Sequence, residues 1–188
     1  QNRQYVPLNK IAPIMRQAQI AIEDHRFYQH GAMDLQGTMR ALVSTVRGNT
    51  QGASTLTQQY VKMSLINAAQ AKGDAEGVQK AQENTLSRKI QELRYAIALE
   101  KKYTKDQILE FYLNIAYYGD GAYGVEAAAL NYFGIHASKL NLRQAAFLAG
   151  MVRNPVGTNP RTAGLELVAL QRRNDVLDRM ASSEVHVI

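Results

Sequence analysis

Helix starts recur along this chain, and they leave little room for any other kind of fold. Thr55 with Gln58, and Thr104 with Gln107, each set a hydroxyl three residues before a glutamine. That reciprocal pair closes off the free N–H groups of a first helical turn. Asn141 with Gln144 repeats the spacing. Apolar residues recur at helical intervals nearby. Ile11, Ile14, Met15, Ala18 and Ile22 share one face, and Pro13 suits the first turn. Asp34 is placed to cap a helix over 34–47 with Leu35, Met39, Leu42, Val43 and Val46 on its stripe. Asn84 is placed to cap a long one carrying Leu86, Ile90, Leu93 and Ile97. Gly134 stops a short helix over Val125, Ala128, Ala129, Tyr132 and Phe133, and a last helix runs from Thr162 to Met180. There is no strand alternation of useful length and no internal repeat. The expected class is mainly α.

A chain of 188 residues can form one well-cored domain or two lobes sharing a core. Residues 67–82 are small and polar, which predicts a loop or short surface helix and a boundary between lobes. The absence of cysteine excludes disulfides, thiol nucleophiles and thiolate metal sites. Net charge +6 predicts an anionic partner. The aromatic residues are not interleaved with basic ones for base stacking, which argues against nucleic acid. No apolar run approaches the ~18 residues of a membrane span, and no signal peptide is visible. Beginning at Gln1 and stopping just past a helix, the chain reads as a piece of a longer protein.

Chemistry concentrates first in Glu23-Asp24-His25-Arg26-Phe27-Tyr28-Gln29-His30-Gly31. Adjacent carboxylates at a helix C-terminus oppose the macrodipole, so helix design does not explain them. Gly31 is expected to permit a tight turn. On the helix over 34–47, Arg40 and Arg47 flank the apolar stripe, which suits either a core helix with a solvated margin or one resting on an anionic membrane. Gly48 through Gln59 is a glycine-rich approach to a capped helix start, whose N–H groups suit an anion, with Lys62 one turn on. Glu92 lies off its helix's apolar stripe beside Arg88 and Lys89, as a surface salt bridge or as a carboxylate set among cations in a cleft. Glu100 and Arg173 fall among apolar positions, so each is expected to have a fixed partner of opposite sign.

Two acids in a small helical protein suggest sugar chemistry. A glycoside hydrolase needs one acid to protonate the leaving oxygen and one carboxylate on the opposite side. A pyrophosphate instead leaves without a proton, provided its charge is neutralised. The cations around the glycine-rich start and Glu92 favour the second chemistry: one base for an acceptor hydroxyl, and a basic cradle for phosphates.

Five stretches carry a resemblance: Glu23-Asp24-x-x-Phe27-x-x-His30-Gly31; Gly52-x-Ser54-Thr55-x-x-Gln58-Gln59; Arg88-Lys89-x-x-Glu92; Ile108-Leu109-x-x-Tyr112-Leu113-Asn114; and Arg172-Arg173-x-x-Val176-Leu177-x-x-Met180. In order, they resemble the motifs of the peptidoglycan glycosyltransferases, glycosyltransferase family 51, found in class A penicillin-binding proteins and monofunctional transglycosylases. Gln91 stands where many members have another lysine. The resemblance implies a lysozyme-like, two-lobed helical fold with a central cleft, the smaller, membrane-proximal lobe spanning about 32–66 and the larger the remainder. It implies polymerisation of lipid II into β-1,4-linked glycan with inversion and release of undecaprenyl pyrophosphate. Glu23 becomes the general base, and Phe27 and Tyr28 are placed to give it apolar cover. Glu92 becomes a holder of the donor pyrophosphate, directly or through a divalent cation, expected to be Mg²⁺. Asp24, Arg26, Phe27, His30, Arg40, Ser54, Thr55, Gln58, Gln59, Lys62, Arg88, Lys89 and Asn114 become substrate-binding residues. The implied partners are lipid II, the growing lipid-linked glycan and the membrane surface. The implied location is the outer face of the bacterial cytoplasmic membrane. A transpeptidase domain in the same parent chain stays open, as do two other functions, a muramidase and a non-catalytic lipid II-binding module.

Overall fold

In the computed structural model, which describes residues 2–44 and 54–188, the three glutamine-closed helix starts form as their spacing predicts. Thr55 Oγ1 accepts from the Gln58 N–H at 3.2 Å while Gln58 Oε1 accepts from the Thr55 N–H at 2.8 Å. Thr104 and Gln107 make the same exchange, as do Asn141 and Gln144. Among the described residues there are nine α-helices: α1 (Pro13–Glu23), α2 (Ala32–Ser44), α3 (Leu56–Ala71), α4 (Ala75–Gln82), α5 (Leu86–Lys102), α6 (Lys105–Ile115), α7 (Val125–Phe133), α8 (Leu142–Met151) and α9 (Glu166–Ala181). The mainly α class stands. The strands are two residues each, β1 (Asn2–Arg3) and β2 (Ala122–Tyr123), paired in parallel.

The chain divides into two units. The first comprises Gln1–His25 and Leu109–Ile188. Here α8 packs against both α1 and α9. Its small residues Ala145, Ala146, Ala149 and Gly150 are buried, and Arg172 of α9 donates from Nε to the Gly150 carbonyl at 3.0 Å. Met15, Ala18, Tyr112, Leu113, Leu148, Val176 and Met180 are fully enclosed. Gly124 opens α7 at φ 84°, with the Asn114 carbonyl oxygen 2.8 Å from where a Cβ would sit, so any other residue there is strained twice over.

The second unit is Arg26–Ile108. Its core joins Leu35 of α2, Val61 of α3, and Leu93, Ala96 and Ile97 of α5, with Met39, Leu42 and Leu65 packed around them. The stripe expected on α5 is turned from the one observed. Leu86 is 44% exposed, while Arg88 and Glu92 are buried beside Leu93, because charge pairing lets the two ions share the inner face. Residues 67–82 lie inside this unit and are mostly helical, as the end of α3 and all of α4.

Three local expectations need correction, the first being the cap of α5, which is Thr85 and not Asn84: the Thr85 hydroxyl oxygen accepts from the Arg88 N–H at 3.2 Å. α2 starts at Ala32, ahead of Asp34, and the Asp34 carboxylate accepts from the Gly31 N–H at 2.8 Å from within the first turn. Gly31 itself has no positive φ, and nothing lies within 4 Å of a Cβ there, so the turn does not require glycine. Val46, Arg47 and the glycine-rich stretch 48–53 lie outside the described residues.

Leu93 has no exposed surface at the centre of the second unit. Leu93→Ala therefore lowers the unfolding free energy by about 2–5 kcal/mol. Urea unfolding checks this through a lower midpoint at unchanged slope, and a midpoint equal to that of the wild type contradicts it.

Candidate active site

Glu23 is the last residue of α1, half-buried, followed by the half-buried Asp24, whose N–H caps onto the Ile20 carbonyl at 2.9 Å. Within the same unit the carboxylate faces two wholly buried phenols, Tyr112 of α6 and Tyr118. Burial pushes both hydroxyls well above the ordinary tyrosine range, and the Glu23 charge pushes them further. Tyr118 donates to Gln19 Oε1 at 3.1 Å, and Gln19, one turn before Glu23 on α1, donates to the Ala149 carbonyl at 3.4 Å. Gln19 and Tyr118 are fully enclosed, so one turn before Glu23 the helix is tied to α8 through a polar chain shielded from water. Phe27, expected as apolar cover for Glu23, belongs to the second unit, where its face lies 4.6 Å from the Lys105 ammonium and its edge meets Tyr28.

Asn114, the last residue of the fourth motif, is hydrogen-bonded to backbone on both sides. Its amide nitrogen donates to the carbonyls of Val6 and Glu110, and its oxygen accepts from the Val6 N–H at 2.9 Å. Glu110, one turn earlier on α6, accepts from the Leu8 N–H and the Tyr5 hydroxyl. Together they clamp residues 5–8 onto α6.

In the second unit the cluster centres on Glu92, 6% exposed. Lys89 Nζ sits 3.2 Å from Glu92 Oε1 and donates to Ser54 Oγ at 2.5 Å, joining α5 to the start of α3. Arg88 approaches the other carboxylate oxygen at 4.0 Å and donates from Nε to the Ala81 carbonyl of α4. Both terminal nitrogens of Arg88 are buried without a hydrogen-bond partner. A guanidinium held that way has donor capacity for an oxyanion. The surface-pair alternative for Glu92 is therefore overturned, since all three groups are mostly buried. Gln58 is buried and spends its amide oxygen on the Thr55 cap, while Gln59 donates to the Ser54 carbonyl at 3.3 Å. Arg26, Arg40 and Lys62 are exposed, and His30 is half-buried beside Lys105. Glu23 and Glu92 thus belong to different units.

A family model described as Transglycosylase matches residues 1–181. The chain belongs to the transglycosylase family. Penicillin-binding protein 1A of Escherichia coli (strain K12) is 43% identical over 177 residues, covering 93% of this chain and 19% of that protein. Penicillin-binding protein 2D of Bacillus subtilis (strain 168) is 37% identical over 187 residues, 98% of this chain and 25% of the relative. Penicillin-binding protein 1A of Aquifex aeolicus (strain VF5) is 41% identical over 182 residues, 96% and 23%. The chain spans a quarter or less of these relatives' length.

The transglycosylase domain also contains site neighbours that its motifs did not announce. Gln19 and Tyr118 beside Glu23 carry a faint signal, a glutamine at i−4 on an otherwise apolar helix face. Lys105 follows a capping threonine and looks like an ordinary first-turn residue. Of the two charges expected to be paired, Glu100 has Lys105 at 2.7 Å, whereas half-buried Arg173 bonds the amide oxygen of Asn174 instead of an acid.

Because Tyr112 and Tyr118 hold their protons in the fold past the ordinary value near ~10, the unfolded chain releases them first. Stability from this source is complete below pH ~10 and is lost as pH rises beyond it. Tyr112→Phe makes the fall of unfolding free energy above pH ~10 shallower by up to about 1.4 kcal/mol per pH unit, measured by urea titrations. Equal slopes in the two proteins contradict the assignment.

Proposed function

We propose that this domain elongates peptidoglycan by moving a growing glycan from undecaprenyl pyrophosphate to the 4-hydroxyl of an incoming lipid II. Glu23 accepts the hydroxyl proton as the oxygen attacks the anomeric carbon from the face opposite the pyrophosphate. The bond to the pyrophosphate breaks, the leaving group keeps the electron pair, and inversion gives a β-1,4 linkage. The observation that best supports the phosphate half is Arg88, whose terminal nitrogens are buried without a hydrogen-bond partner, one of them 4.0 Å from a carboxylate oxygen. Lys89, already shared between Ser54 and Glu92, can direct a third proton at the same oxyanion. Glu92 then keeps both cations in place, and the N–H groups at the start of α3, after Thr55, add a further positive end.

The other expected binding residues take peripheral roles in this reading. Arg26, Arg40 and Lys62, exposed and basic, steer the anionic lipid headgroups. Asp24 continues the α1 terminus that presents Glu23, and Asn114 acts through its clamp on residues 5–8. α2, which exposes Met33 and Val43 alongside Arg40, is the surface proposed to rest on the outer face of the cytoplasmic membrane. Among the described residues no helix is long and apolar enough to cross it.

A divalent cation fits the protein's own donors poorly. Glu92 faces two cations, and no group of three His, Cys, Asp or Glu that could hold a metal gathers among the described residues. Residues 45–53 contain none of these types. Mg²⁺ wants six oxygens, so phosphate and water would have to supply most of them.

Glu23→Gln is expected to lower the rate of lipid II polymerisation at least ~10²-fold, the scale of a general base, with donor-analogue affinity nearly intact. An unchanged rate contradicts the role of Glu23. Shortening of preformed glycan by the wild type, without polymer formation, would restore the muramidase reading.

A further inference from the structure

Glu100 and Lys105 form a buried ion pair that the chemistry above does not use. Their side chains are 3% and 18% exposed, and Lys105 Nζ lies 2.7 Å from Glu100 Oε1. The same carboxylate oxygen accepts from the hydroxyl of Thr57, a fully enclosed residue in the first turn of α3, at 2.6 Å. The ammonium also meets His30 Nδ1 at 3.3 Å and lies over the Phe27 ring at 4.6 Å. The adjoining Asp106 accepts from the Tyr28 hydroxyl at 2.7 Å. The end of α5 and the start of α6 therefore bind three residues within the stretch of the first motif, Phe27, Tyr28 and His30, and tie them to the first turn of α3.

We infer that Lys105 and Glu100 are positioning residues for the segment 26–31, and that Lys105 fixes the tautomer of His30. An ammonium has only protons to give. The ring nitrogen facing it must accept, which puts the imidazole proton on Nε2 and aims that donor away from Lys105. Phe27 adds a cation–π contact, so the ammonium has three neighbours, Glu100, His30 and Phe27, and holds each in return. A solvated salt bridge would set neither the ring orientation nor the tautomer. This one is buried, and its geometry is fixed by Thr57.

The activity part of this inference rests on the glycosyltransferase reading, and the tautomer part does not. The test uses ¹⁵N spectra of the histidine rings together with steady-state lipid II polymerisation. In the wild type, His30 is expected as the Nε2–H tautomer. Removing Lys105 alone leaves a buried carboxylate uncompensated, so the variant to read is the double substitution Lys105→Met with Glu100→Gln, which removes both charges. It is expected to fold, to show mixed His30 tautomers, and to lose kcat toward the ~10²-fold cost of about an ångström of misplacement. KM should move far less. Lys105→Arg, which keeps a donor, a charge and a stacking group, restores the tautomer and most of the rate.

A wild-type His30 carrying its proton on Nδ1, or a double variant with an unaltered tautomer, overturns the inference. A shifted tautomer with unchanged kcat overturns the positioning role in the reaction. If the wild type makes no polymer while the tautomer shifts as described, the glycosyltransferase reading fails and the link from Lys105 to His30 survives.

Discussion

Burying a carboxylate without a cation beside it costs several kcal/mol, and α5 buries two. Each is matched, and the matching decides what the second unit brings together. Glu92 draws Lys89 and Arg88 to itself, and through them Ser54 ahead of α3 and the Ala81 carbonyl of α4. Glu100, two turns further along, draws Lys105 and Thr57, and through Lys105 the aromatic segment after Glu23. Hydrophobic packing of Leu93, Ala96 and Ile97 holds the helices together but has little directional content. The ions supply the direction. They determine which residue of α3 faces which residue of α5, and a phosphate-binding reading needs that kind of fixed, water-poor array of donors.

The first unit solves another problem, how to keep a carboxylate half out of water at a helix end whose dipole disfavours it. The two buried phenols beside Glu23 stay neutral, so they offer dipoles without competing charge. Gln19 and Tyr118 fix the preceding turn to α8, and the clamp of Glu110 and Asn114 on residues 5–8 braces α6, which carries Tyr112. The fourth motif therefore braces the end of α1 in physical terms: its polar residues hold backbone, and its aromatic residue faces Glu23.

The helices were legible because capping chemistry is local. Thr55, Thr104 and Asn141 need only a glutamine three residues on, and all three close as spaced. The clustering of Arg88, Lys89 and Glu92 was legible for a similar reason, since they lie within one turn and a half of helix. What the sequence concealed was non-local. Nothing near Lys105 says that it meets His30, seventy-five positions away, or that Asn114 would bond Val6. The stripe on α5 was misplaced because periodicity counts only apolar residues as inward-facing, while Arg88 and Glu92 are paired and therefore also inside. Asp34 was placed at the start of α2 because a carboxylate serves as well from within the first turn as ahead of it.

The claim at the centre is that the array around Glu92 receives a pyrophosphate. Calorimetric titration of undecaprenyl pyrophosphate in detergent into wild type and Lys89→Met measures it directly. Loss of one charge-assisted hydrogen bond, about 1.5–3 kcal/mol, predicts affinity weakened roughly 10- to 100-fold, with a reduced salt dependence. Equal affinity and equal salt dependence in the two proteins would mean that Lys89 serves only to hold Glu92 and Ser54, and that the phosphates bind elsewhere.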